Sequence, residues 1–374
     1  MMDKALNILV IGGGFSGMSA AILLAEAGNS VDLVEIDAGW RSYGAGISLN
    51  GGMFRVLARL GLLDAFKAVG AMTDGVEIRG PQDQVLVRLP THSLQEGASG
   101  NGGVMRPVLA RLLAERTRAA GVSVKLGASF TGIENGEETA TVSFTDGTSA
   151  EYDLVIGADG LYSATRAAIF PEAPKPRYIG QAVWRAVLPT PAEITTVTMW
   201  MGPGLKVGIN AVSETDSYLF LTEDQPSNAY VPSETHVETL RGLLSRFPSP
   251  IIQTVAANLS ADSLVVYRPL EQLLVQRPWF KGRVVLIGDA IHATTPHMAA
   301  GAMIGMEDAL VLAEELGRHS PPDALAAFEA RRFDRCRMVV ENSGRLAEIE
   351  LGHGTHEEHQ RLMGQTLGAL AAPI

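Results

Sequence analysis

The chain has 374 residues, 46% apolar and 19% charged, with 40 Gly and 19 Pro; that balance excludes a disordered chain, a coiled coil and a collagen-like fibre, and predicts a globular protein of two lobes or one large α/β unit. Its 30 Lys and Arg stand against 41 Asp and Glu, a formal charge of −11, which argues against nucleic acid and anionic membrane surfaces as partners. Cys336 is the only cysteine, so an intramolecular disulfide, a CxxC redox pair and a cysteine-built zinc cage are excluded, and a reducing compartment fits. The N-terminal apolar stretch is too short and too soon broken by glycine for a signal peptide, and no run approaches membrane-spanning length; the expectation is a soluble cytoplasmic protein.

Ile8–Ile11 is the first of three apolar runs that do not alternate, the pattern of strands covered on both faces in a parallel sheet. A helix over Gly17–Ala27, closed by Gly28, and a strand over Val31–Glu35 complete a βαβ unit. A helix over Pro107–Ala119 and a strand over Val122–Leu126 follow. Asn135-Gly136 and Asp146-Gly147 then mark the turns of a β-meander through Phe130–Ile133, Ala140–Thr145 and Ser149–Tyr152. Leu154–Ile156 is the second buried run. From Tyr178 the texture changes to alternating strands, Ala182–Leu188, Val197–Met201, Val207–Val212 and Tyr218–Thr222, which predict an antiparallel sheet in a second lobe. Helices over Glu234–Phe247 and Pro250–Asn258 belong to that lobe. The chain returns through Val265–Leu270 to the third run, Val284–Ile287, and ends in helices over Gly301–Gly317 and Pro322–Leu351.

The three buried runs end in Gly12-Gly13-Gly14, Gly157-Ala158-Asp159-Gly160 and Gly288-Asp289-Ala290. Ligands of doubly wound sheets bind at the carboxyl ends of the strands, so these distant segments are expected to build one site. Gly12-x-Gly14-x-x-Gly17 follows a buried strand, opens a helix and is succeeded by Glu35 at the end of the next strand. The first glycine permits the turn, the second admits a pyrophosphate to the backbone and the third lets helix and strand approach. Glu35 would accept from a ribose diol. The pattern predicts a Rossmann-like dinucleotide site including Phe15 and Ser16, and does not choose between NAD and FAD.

His353, His356 and His359 beside Glu357 and Glu358 lack the spacing of a zinc helix and predict a solvated polar helix or tail, with no metal. Met298, Met303 and Met306 read as core or pocket lining. His292 fits a structural hydrogen-bonding role.

Taken together, the N-terminal GxGxxG, the stretch Asp153–Arg166 and the stretch Arg283–Pro296 resemble the ordered motifs of single-component flavin monooxygenases of the para-hydroxybenzoate hydroxylase type. What the resemblance implies is an α/β fold: a Rossmann-like FAD-binding lobe with a mostly parallel sheet and β-meander, an inserted antiparallel-sheet substrate lobe, and C-terminal helices. The expected division is 1–72, 100–177 and 266–350 for the FAD lobe, 73–99 and 178–265 for the substrate lobe, and 351–374 as a C-terminal tail or helix. Asp159-Gly160, with Ser163 and Arg166, matches the family's DG motif, associated with FAD and NAD(P)H, and Gly288-Asp289 its GD motif, whose carboxylate contacts the FAD linker. Arg106 is implied at the FAD phosphates, Arg41 beside the flavin ring, and Phe130 in backbone contact with adenine. Many members carry Pro-x-x-Gly-Gln-Gly where this chain has Pro296-His297-Met298-Ala299-Ala300-Gly301. A helix starting at Gly301 and Ala302 would still aim its backbone N–H groups at the flavin pyrimidine.

The implied activity is hydroxylation of a small aromatic substrate: NADH or NADPH, binding transiently, reduces FAD, O2 adds at the flavin C4a position, and one oxygen passes to the ring. Arg185, Lys206 and Tyr218 from the sheet, with Pro296 and His297 from the flavin side, are the candidate pocket residues. Arg185 and Lys206 either pair with an anionic substrate or are solvated sheet-edge charges. A flavin oxidase or dehydrogenase of the same superfamily and a non-catalytic nucleotide-binding protein are the alternatives, and the expected assembly is a monomer or homodimer.

Overall fold

The computed structural model describes residues 5–42 and 44–374; Met1–Lys4, the start of the N-terminal stretch, lie outside them. The βαβ unit is β1 (Asn7–Ile11), α1 (Phe15–Glu26) and β2 (Ser30–Glu35). Next come β3 (Gly46–Asn50), α2 (Gly51–Arg59), α3 (Leu63–Lys67), β4 (Ala71–Thr73), β5 (Val76–Arg79), β6 (Val85–Leu89) and β7 (Asn101–Met105). None of these elements was expected: the strands carry too few residues to show a period, although α2 buries Met53, Phe54, Val56 and Leu57 at helical spacing. α4 (Arg106–Ala119) and β8 (Ser123–Leu126) lead to the meander β9 (Phe130–Asn135), β10 (Ala140–Phe144) and β11 (Ser149–Tyr152), then to β12 (Leu154–Gly157) and α5 (Ala164–Ile169). The second lobe runs through β13 (Arg177–Pro189), β14 (Val197–Gly202), β15 (Leu205–Ala211), β16 (Asp216–Asp224), α6 (His236–Leu244), α7 (Pro250–Asn258) and β17 (Val265–Gln272). The chain finishes with β18 (Phe280–Lys281), β19 (Val284–Leu286), α8 (Asp289–His292), α9 (Gly301–Leu316), α10 (Pro321–Glu350) and α11 (His356–Ala371).

The first sheet has the order β18-β19-β12-β1-β2-β8, with every pair parallel except β18 on β19. The three non-alternating runs are therefore neighbours at its centre. Ile8, Leu9, Val10, Leu154, Val155, Ile156, Val284 and Val285 are fully shielded from solvent, which is why these strands carry no polar alternation.

The second large sheet has the order β17-β13-β16-β15-β14-β5-β6. Trp184, Trp200, Val207, Ile209, Leu219 and Leu221 on one face pack with Leu240, Leu244 and Ile252 of α6 and α7. The alternate residues face the first lobe. Asn210 donates to Gly102 O and Ser48 Oγ, both at 3.0 Å, which joins this face to the small β3-β7-β4 sheet. Two expected boundaries are corrected: the cut at 72/73 falls inside β4, and that at 265/266 inside β17, which pairs with β13 as far as Gln272. No described helix is long and apolar enough to cross a membrane.

Candidate cofactor and substrate site

The glycine loop after β1 is shaped by contact. Gly12 has φ +107, and a Cβ there would lie 2.5 Å from Ala158 O; one on Gly17 would lie 2.0 Å from Gly12 O. Gly14 has open space where a Cβ would stand and caps α1 without a side-chain hydrogen bond. The first N–H groups of α1 are thus left for an anion to accept from. Glu35 accepts from Gly13 N at 2.7 Å and from Asp37 N at 2.8 Å. Each bond uses one lone pair per oxygen, so the carboxylate holds the loop and retains acceptor capacity for a diol. Trp40 closes the same turn by donating to Gly13 O at 2.8 Å.

Asp159 is occupied locally. It accepts from Ser163 Oγ, and from Thr165 N and Oγ1 at 2.9 and 3.0 Å, so its carboxylate organises the start of α5 while the DG backbone packs on Gly12. Arg166 is buried and donates to Ala290 O and Leu161 O, tying this turn to the GD turn. Arg41 lies across Asp37 in a largely exposed ion pair rather than extending inward. Phe130 opens β9 with its ring against the core; two residues earlier Ala128 N donates to Glu35 O.

Asp289 is solvent-accessible yet ringed by protein. That crowding pushes its carboxyl pKa up, with His292 and Arg106 opposing. Arg106 lies 5.1 Å from the Phe15 ring, at the start of α1. Burial and the nearby Arg185 both push its guanidinium pKa down, with Asp289 and Tyr218 opposing. Arg106, Arg185, Asp289 and Tyr218 therefore share one neighbourhood, and neither arginine forms an ion pair among the described residues. α9 begins at Gly301 and Ala302 with no side-chain cap, and one turn on its Gly305 lies against Ser16 and Gly288, so the helix starts beside the turns that open α1 and follow β19. This donor set fits a dinucleotide bearing a flavin: two helix N-termini and Arg106 for its anionic parts, and carboxylates Glu35 and Asp289 for its hydroxyls.

On the sheet, Arg185 is in register with Phe220, and Phe220 with Gly208. The Phe220 ring lies over Gly208, where a Cβ would come within 2.2 Å of it. Tyr218 stacks beside Phe220 with centroids 5.5 Å apart and planes 34° apart. Arg185 and Lys206 are on interior strands, which corrects the sheet-edge alternative for both. Lys206 is instead paired with Glu350 at the end of α10, at 2.5 Å, both side chains about nine-tenths buried. His297 is also corrected as a pocket-facing ring. Its imidazole is buried between Thr295 Oγ1 (2.8 Å) and Glu350 (3.4 Å), while Pro296 beside it is exposed. His359 reaches Glu350 at 3.7 Å, so α11 is docked here rather than being a purely solvated helix.

Behind the GD turn lies a network that was not expected. Asp308 accepts from Gly288 N (2.9 Å), His292 Nε2 (2.6 Å) and Arg332 Nε (2.8 Å), and Arg332 also binds Glu307 (2.9 Å) and donates to Cys336 Sγ. His292, Asp308 and Cys336 bring ligand atoms together, but the cation among them is the Arg332 guanidinium. Burial alone would lower the His292 pKa; the Asp308 carboxylate outweighs it and holds the imidazole well above its usual value. The available signal was Glu307-Asp308 inside the apolar stretch Met303–Leu312, since buried acids require a buried cation.

A family model described as FAD binding domain matches residues 5–343. The chain is 31% identical to 3-amino-4-hydroxybenzoate 2-monooxygenase of Streptomyces cremeus over 93% of its length and 88% of that protein. It is 30% identical to 6-hydroxynicotinate 3-monooxygenase of Pseudomonas fluorescens over 90% of each. Among solved structures, Klebsiella pneumoniae HpxO complexed with FAD and uric acid is similar with a TM-score of 0.81 and 29% identity, covering 97% of this chain and 94% of that one.

Proposed function

The chain belongs to the FAD binding domain family, and from that membership we propose an assignment of its residues to the work of an FAD-dependent aromatic monooxygenase. It is an oxidoreductase that hydroxylates a small aromatic or heteroaromatic compound. Bound FAD supplies hydride acceptance from NADH or NADPH and activation of O2; the protein's part is binding, orientation and exclusion of water. The observation that carries the assignment is the meeting of the uncapped starts of α1 and α9 with Arg106 and Asp289.

In this reading Gly14, Phe15 and Ser16 donate backbone N–H groups to the pyrophosphate, with Gly12 and Gly17 letting loop and helix close. Glu35 accepts from the adenosine ribose, the Phe130 backbone meets adenine, and Asp289 accepts from the ribityl chain. Gly301 and Ala302 face the flavin pyrimidine. Asp159 acts through the backbone of its turn, and Arg41 stays at the rim, where nucleotide passes. The substrate lies between Pro296 and the sheet, its ring against Tyr218 and Phe220 and its anionic group on Arg185. The mostly parallel sheet with α1 and α9 supplies the cofactor side, and the sheet that runs from β17 to β6 supplies the substrate side. The single buried cysteine supports a reducing cytoplasm.

Anaerobic reduction of the FAD-loaded protein by NADH or NADPH, with and without phenols, hydroxypyridines and purine-like heterocycles, tests the reading. At least one class is expected to accelerate flavin bleaching and to be recovered hydroxylated after admission of air. No acceleration by any class would refute it, and bleaching by an organic substrate alone would favour an oxidase.

A further inference from the structure

Glu350 holds a cation that the sheet otherwise offers to the pocket. Lys206 lies on the face of β15 that carries Gly208 and Asn210, the same face as Arg185, Tyr218 and Phe220. Its ammonium is 2.5 Å from the Glu350 carboxylate. Burial pushes the Glu350 pKa up, but Lys206 and His297 outweigh it and keep the acid well below its usual value, so the pair is ionised. Glu350 comes from the C-terminal end of α10, outside both sheets, and is braced by His297 at 3.4 Å and His359 at 3.7 Å. Arg185 forms no ion pair among the described residues. Two cations on interior strands are thus presented on one face, and one of them is neutralised from within; Arg268 of the edge strand β17, in register with Val183, is exposed.

We propose that Glu350 is a specificity-determining residue: by neutralising Lys206 it leaves Arg185 as the unpaired cation on the interior strands of the substrate face, Arg268 of the edge strand β17 being exposed to solvent, and sets the pocket to take aromatic monoanions in preference to dianions. This rests on the placement of substrate against Arg185 given above. A second carboxylate on the ring would have to displace Glu350 from Lys206, leaving that acid partly buried with only two histidines, or remain desolvated without a cation. Either costs more than the added attraction returns.

Calorimetric binding of benzoate and of benzene-1,3-dicarboxylate to the FAD-loaded protein tests this. The unaltered protein should bind benzoate the more tightly. Glu350→Gln frees Lys206 and should shift the preference toward the dicarboxylate by about tenfold or more, the worth of one desolvated charge pair. Lys206→Met alone leaves the Glu350 carboxylate uncompensated on the substrate face and should weaken benzoate binding, and the double variant K206M/E350Q, which removes both charges and avoids an unpaired buried ion, should return the original order. An unchanged order in Glu350→Gln, a preference for the dicarboxylate already present in the unaltered protein, or a double variant that fails to return the original order would overturn the inference while leaving aromatic binding intact. Failure of every protein to bind either anion would overturn the placement of substrate on Arg185 as well.

Discussion

Ala299 adopts φ +47 and ψ +33, the left-handed region, at the position where the related pattern carries its first glycine. An L-residue there is strained by contact of its Cβ with the carbonyl that follows. Ala299→Gly is expected to stabilise the protein by about 0.5–1 kcal/mol, the strain relieved less the added freedom of the unfolded chain; a denaturant midpoint that falls would contradict this. His292 and Asp308 make a second argument at this scale. The imidazole pKa is raised well above its ordinary value, so its contribution is fully present below about pH 6.5 and is lost as pH rises through the folded value. The Asp308 pKa is raised by burial but lowered more by His292 and Arg332, so its contribution is present above about pH 4 and is lost on acidification. Stability should therefore be flat between those limits and decline at alkaline pH. His292→Gln should cost about 2 kcal/mol on the plateau and flatten the alkaline limb, Arg332 still holding the carboxylate. An alkaline limb unchanged in that variant would exclude His292 as its source.

At the scale of elements, the cofactor site depends on how closely α1 approaches its neighbours. The Gly17 position meets Gly12 O, and added carbons at Gly288 and Gly305 would meet Ser16 Oγ at 2.5 and 2.4 Å. Ser16 Oγ can rotate away, whereas the Gly12 carbonyl belongs to the loop itself. Gly17→Ala should accordingly displace the start of α1, cost about 3 kcal/mol and yield protein depleted of flavin, while Gly305→Ala should retain it. Equal flavin content in both variants would remove the distinction. The central strands were legible because both their faces are covered, which forces apolar runs, and α1 because its glycines answer to a fixed geometry. β3 to β7 were not: three to five residues contain less than a full pattern, and their order follows from long-range contacts such as Asn210 with Gly102.

For the whole molecule, sequence reasoning reached what is dictated by neighbours along the chain and stopped at partners brought from elsewhere. Gly12, Gly14 and Gly17 declared themselves through spacing. Lys206 gave no sign of Glu350, 144 residues away, nor His297 of its turn into the C-terminal helices. The same separation governs synthesis. β1 is made first, but its neighbour β12 is flanked by β19, which begins only at Val284, with the entire second sheet emerging in between. A nascent chain must therefore leave one edge of the apolar strand β12 unpaired until Val284–Leu286 has been made. Flavin capture, which needs the turn after β19 and the start of α9, should accordingly follow the synthesis of both sheets, and demand for chaperone shelter should be set by the length of the intervening lobe.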